Sequence, residues 1–149
     1  MLAIETLIEQ LKPEDCDLEG EVDFPVLGNT LLSIGLPENN EVEETQKRTL
    51  NWFYQEIPKL YPQIENAVFD YYQSSMKAYH KKLAAKASKL MPELKDKADV
   101  WLYVSEPGIF IFPQDEGGEL HLEFECTFDQ DNGLRVVFSN GQLLRVGIE

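Results

Sequence analysis

The sequence predicts an α+β fold: an antiparallel sheet, built from an N-terminal hairpin and a C-terminal meander, packed on one face by two central helices. Three observations carry this expectation. From Glu119 to Phe128 apolar and polar residues alternate strictly, the signature of a strand with one buried and one open face. Two Asn-Gly steps, Asn132-Gly133 and Asn140-Gly141, stand beside runs of β-branched, aromatic and leucine residues. Asn and Gly tolerate φ > 0 at low cost, as the tight turns of hairpins require. Between residues 43 and 90 the apolar spacing becomes three, four or seven, which is helical.

Along the chain, Ile4, Leu7, Ile8 and Leu11 predict a short helix from Ala3 to Leu11 that Pro13 stops. A polar acidic segment, Glu14 to Glu21, follows. Val22 to Val26 and Leu31 to Leu36 read as a hairpin joined through Leu27-Gly28-Asn29-Thr30, with Pro25 placing the first strand at an edge. Asn39, Asn40 or a nearby residue is a candidate cap for a first central helix from about Glu43 to Glu56, with Leu50, Phe53, Tyr54 and Ile57 on its apolar stripe. Pro58 and Pro62 are expected to break or bend it. A second helix is expected from Pro62 to Leu90 on Ile64, Val68, Tyr72, Met76, Tyr79, Leu83 and Leu90, with His80 on its exposed part. Val100 to Val104 reads as a strand, Pro107-Gly108 as a turn into Ile109 to Phe112, and Asp115 to Gly118 as a second turn. Leu134 to Phe138 and Gln142 to Ile148 complete the meander. No internal repeat or linker divides residues 1–149, so a single domain is expected.

The formal net charge is −14, and it is unevenly spread. Seven of the 13 basic residues are lysines between Lys77 and Lys97, while both flanks are acidic. Such a field repels phosphate backbones and attracts basic proteins or cations, so nucleic acid is not an expected partner. The lysines near the end of a helix complement its dipole. No apolar run approaches a membrane span and the N-terminus lacks a secretory pattern, so no membrane association and a cytoplasmic setting are expected. Cys16 and Cys126 have neither disulfide nor metal spacing, and Cys126 falls on the apolar side of its strand.

Candidate chemistry centres on the polar face of the alternating strand. Glu119, His121, Glu123 and Glu125 project to one side about 6–7 Å apart, and Asp129 and Asp131 sit in the next loop. Imidazole plus carboxylate oxygens suits a divalent metal, with His121, Glu123 and Glu125 as its ligands. The same pattern also describes a solvated strand face. Asp129-x-Asp131-x-Gly133 starts like a calcium loop but fails its spacing, because the glycine is fifth and Asn140 stands twelfth. No P-loop, Gly-x-Ser-x-Gly or dinucleotide fingerprint is present, and no cofactor is expected. Aromatic residues are too many for one helical stripe, which makes Tyr61 and Tyr71 candidate interface anchors.

The segment Phe128-Asp129-Gln130-Asp131-Asn132-Gly133-Leu134-Arg135-Val136, followed by Asn140-Gly141 and Val146-Gly147, resembles the ending of a group of uncharacterised bacterial domains. In that group a Trp-Asp-x-Glu-His-Gly-Leu-Gly type segment closes the sheet. Gln46 and the pair Tyr71-Tyr72 on the preceding helix also look similar. Here Phe128, Asp131 and Asn132 replace Trp, Glu and His. Relatives of this kind include small proteins suspected of being immunity partners in bacterial toxin systems. The resemblance therefore implies a bacterial, immunity-type inhibitor. Two functional expectations result: a non-enzymatic acidic protein that binds a basic protein partner, and a metal-binding module or metal-dependent hydrolase using His121, Glu123 and Glu125. Oligomeric state is left open.

Overall fold

The alternating segment does form a strand, and it is the fifth of seven in one sheet. The structure, a computed structural model, describes residues 3–148. The elements are α1 (Ile4–Glu9), β1 (Lys12–Glu14), β2 (Asp17–Phe24), β3 (Gly28–Gly35), α2 (Glu44–Leu83), α3 (Ala87–Leu90), β4 (Val104–Ile111), β5 (Leu120–Cys126), β6 (Asp129–Ser139) and β7 (Gln142–Ile148). The strands lie in chain order, β1 through β7. All neighbours are antiparallel except β3 and β4, which run parallel with α2 in the connection between them. The α+β class thus holds, with one parallel join that the sequence did not announce.

The expected pair of central helices is a single one. α2 runs 40 residues through both Pro58 and Pro62. Each proline removes one backbone hydrogen bond, at about 3 kcal/mol or more. Both prolines are exposed, and a carbonyl orphaned at a solvent-facing position can be met by water. Around them Phe53, Ile57, Ile64 and Val68 are fully buried against the sheet, at about 1.5–3 kcal/mol each. Burial outweighs the two lost bonds, so the helix continues. It ends instead at Leu83, where Ala84 takes φ 51°.

Of the candidate caps it is a residue near Asn39 and Asn40, rather than either asparagine, that caps this helix. That residue is Glu43, in a reciprocal box with Gln46. Gln46 is buried; its Nε2 donates to the carbonyls of Gly35 (2.6 Å) and Ile111 (3.3 Å), and its Oε1 accepts the Glu43 N–H (3.0 Å). The start of α2 is thereby pinned to the ends of the two parallel strands.

Other expectations change for local reasons. The acidic segment from Glu14, which the sequence left without an assigned element, belongs to the hairpin β1–β2. Residues 97–102 form a 3-10 turn, not a strand, because Trp101 donates to Glu65 of α2 (2.8 Å) and stacks between Tyr61 and Phe124. Pro107-Gly108 sits inside β4 at a bulge, with Glu106 at φ 57°. A proline without an N–H is tolerated there. Asn140-Gly141 makes the expected two-residue turn, at φ 50° and 77°. Asn132-Gly133 does not. The β5–β6 turn is Thr127-Phe128, and Gly133 lies within β6 beside a bulge, where a Cβ would stand 3.2 Å from the Phe124 carbonyl oxygen.

The core lies between α2 and one sheet face, on Ile34, Ile111, Leu120, Leu122, Leu134, Val136 and Phe138. Leu120, Leu122, Phe124, Cys126 and Phe128 are all buried, as the alternation requires. The opposite sheet face carries the polar residues.

Candidate interaction surface

Strand pairing sets the polar face out in rows, because residues directly across a ladder share a side. One row reads Glu19, Ser33, Phe110, His121, Val137, Arg145. The next reads Glu21, Leu31, Gly108, Glu123, Arg135, Gly147. The first row is closed. His121 is 4% exposed, against the expectation of a solvent-facing residue, because Phe112 packs on its ring (4.7 Å between centroids) with Phe110 beside it.

The His121 Nε2 lies 3.0 Å from Glu119 Oε1, and the second Glu119 oxygen lies 3.4 Å from Arg145. An ionised carboxylate can only accept, so neutral His121 carries its proton on Nε2. Its Nδ1 is then a bare acceptor, buried without a hydrogen-bond partner. The hydrogen bond from His121, aided by Arg145, holds the Glu119 carboxyl below the usual carboxylate range against the opposing effect of burial.

The second row is open. A shallow cleft of about 470 Å³ runs across it, lined by Glu21, Glu106, Glu123 and Glu125 around Leu31, Pro107 and Gly108. Leu31 is 47% exposed, one of few large apolar side chains so open to solvent. The bulge in β4 brings Glu106 to this rim. Arg135 Nε lies 3.3 Å from Glu123 and supplies the one basic group in the lining. A second cleft, of about 310 Å³, is lined by Glu125, Asp129, Asp131 and Gly133 among others. The two clefts meet at Glu125 and Gly133 and form one acidic trough.

The trough gathers Glu123, Glu125, Asp129 and Asp131 but separates them from Glu119 and His121. The proposed ligand trio is therefore not assembled: His121 turns to Glu119, Glu123 to Arg135, and Glu125 to solvent. Among the described residues, no group of three or more His, Cys, Asp or Glu is placed to hold a metal ion. Asp129 is engaged locally, accepting from the Tyr79 hydroxyl (2.6 Å) and Asn132 (3.1 Å). Burial, then that bond to Asp129, pushes the Tyr79 phenol far above its ordinary value.

Tyr61 and Tyr71 belong to the helix layer, away from the trough. Tyr61 is half-buried against Trp101, and Tyr71 packs at the core margin, where burial raises its phenol. His80 is half-buried, its Nε2 2.7 Å from the Met91 carbonyl. Burial pushes the Cys126 thiol up to about 12, so it stays protonated at neutral pH, whereas Cys16 is exposed. Glu21 and Glu106 were missed in the sequence. Glu21 closes a polar acidic segment without a clear period, and Glu106 precedes a Pro-Gly that reads as a turn.

Fold and surface together define an α+β protein with one helix-covered sheet face and one open face bearing an acidic trough. The chain belongs to the family described as a domain of unknown function, DUF6985, whose family model matches residues 7–149. No curated protein and no solved structure matches it. Among the described residues no helix is long and apolar enough to cross a membrane.

Proposed function

We propose that the protein is an acidic interaction module whose trough engages a basic segment of a protein partner. The observation that carries this reading is the spread of the carboxylates. Glu21 and Glu123 stand three strands apart, about 14 Å, too far to share one ion and close to the i to i+4 spacing of an extended chain. A lysine- or arginine-rich strand would meet carboxylates along its length, while Leu31 and Pro107 offer apolar contact at the centre. The C-terminal resemblance supports the finer form of this reading, a bacterial cytoplasmic protein that inhibits its partner as immunity proteins do.

The test is a titration of ¹⁵N-labelled protein with a short lysine/arginine peptide at low and high salt. The reading expects saturable shifts confined to the amides of Leu31, Gly108, Glu123 and Gly133. It also expects binding to fall steeply with salt and to vanish when Glu21, Glu106 and Glu125 become Gln. Shifts scattered over the whole surface, or binding indifferent to those substitutions, would overturn it.

A further inference from the structure

A cleft apart from the trough has the opposite chemistry. It measures about 500 Å³ and is bounded by three segments: Thr45, Arg48, Thr49 and Trp52 on α2, the loop at Gln114 and Gly118, and the hairpin end from Phe138 to Gly141. That volume is in the range of small-molecule sites. The chain has 27 acidic residues, yet none lines this cleft, and Arg48 is its one charged group. Among the described residues Arg48 makes no ion pair or side-chain hydrogen bond. Nor does the indole N–H of Trp52 have a hydrogen-bond partner, although the ring lies against the hairpin turn, with Nε1 3.7 Å from the Cβ position of Gly141. The same ring stacks edge-on with Phe138, centroids 5.9 Å apart. Two strong donors without acceptors thus stand beside an aromatic wall, with the hydroxyls of Thr45 and Ser139 and the amide of Asn140 around them.

We propose that this cleft binds a small monocarboxylate with a flat apolar body. The guanidinium and the indole N–H would take the carboxylate oxygens, and the body would lie along Trp52, which Phe138 backs from the core. A guanidinium fork matches the planar carboxylate geometry. The ligand's low charge follows from the whole molecule. A net charge of −14 repels a nucleotide or other polyanion several times more strongly than a single carboxylate. The proposal is independent of the acidic trough, which occupies other residues.

The indole resonances of ¹⁵N-labelled protein test it, with benzoate, inorganic phosphate and benzylamine as separate probes at matched ionic strength. Trp52→Phe identifies which of the two tryptophan signals is which. Benzoate should shift the Trp52 signal saturably and leave Trp101 in place, and benzylamine should not. Arg48→Gln, an exposed substitution whose folding a thermal melt checks, should weaken benzoate about tenfold or more, the loss of one charge-assisted hydrogen bond. A Trp52 response to phosphate but not benzoate would overturn the ligand class. No saturable benzoate response, an equal response to benzylamine, or unchanged affinity in Arg48→Gln would overturn the site.

Discussion

At the scale of single residues, His121 shows how a side chain can leave a polar pattern for a packing role. Period-two alternation places it on the open face, and that placement is correct. What the pattern does not encode is the cover that Phe112, from the loop after β4, lays over its ring. The imidazole then acts as an aromatic spacer with one hydrogen bond to Glu119 and one unpartnered nitrogen. His121→Ala should cost about 2–3 kcal/mol by leaving a cavity. His121→Phe should stay within about 1 kcal/mol of the parent, since it loses a hydrogen bond but removes a buried orphan acceptor. Urea unfolding decides: equal losses in both variants would refute the packing role. Glu119 carries the pH dependence of this cluster. Its folded carboxyl is held below the ordinary value, so its contribution is present above that value and is lost as pH falls through the lowered one. Melting temperature followed from about pH 6 down to about pH 3 should therefore fall more steeply in the parent than in Glu119→Gln, and parallel curves would refute this.

At the scale of elements, most of the sheet and the starts of α1 and α2 were legible, while the continuity and the end of α2 were not. Strands β5 and β7 and the Asn140-Gly141 turn follow from local pattern, because period and turn chemistry are local properties. The two prolines misled because their cost is local while the compensating burial is tertiary. Asn132-Gly133 misled for the complementary reason. A glycine that lets a backbone approach within a bulge looks, in sequence, the same as one that makes a turn. The real end of α2 is marked by backbone strain at Ala84, an exposed non-glycine residue at φ 51° and ψ −116°. Ala84→Gly should relieve it, raising stability by about 1 kcal/mol and the melting temperature by roughly 3 °C. A drop would mean that the strain is absent. The other end rests on Gln46. Gln46→Leu keeps the volume but strips a donor from the Gly35 and Ile111 carbonyls and an acceptor from Glu43. The expected loss is about 2–4 kcal/mol. A loss no greater than the roughly 1 kcal/mol of an ordinary cap would show that the helix is not clamped to the parallel strands.

At the scale of the whole molecule, composition makes the net charge plain, but only the fold says where carboxylates crowd. Glu21 and Glu106 are far apart in the chain and meet because β3 and β4 pair in parallel, a long-range choice with no local mark. Crowding like charges on one face opposes folding, and the effect is relieved by salt. Within the first cleft Arg135 is the one basic lining group, and it pairs with Glu123. The trough should therefore be a place where recognition is held at the expense of stability. The triple substitution of Glu21, Glu106 and Glu125 by Gln separates the two effects, since it keeps size and hydrogen-bonding capacity and removes only charge. Its melting temperature should rise at low salt, and the gap to the parent should close as salt is added and screens the repulsion. Binding of a lysine/arginine peptide should move the other way, lost in the variant and weakened by salt in the parent. Opposite signs for stability and binding are the mark of a charged recognition face. If the triple variant melts lower than the parent, these glutamates support the fold, and the trough owes its charge to structure rather than to a partner.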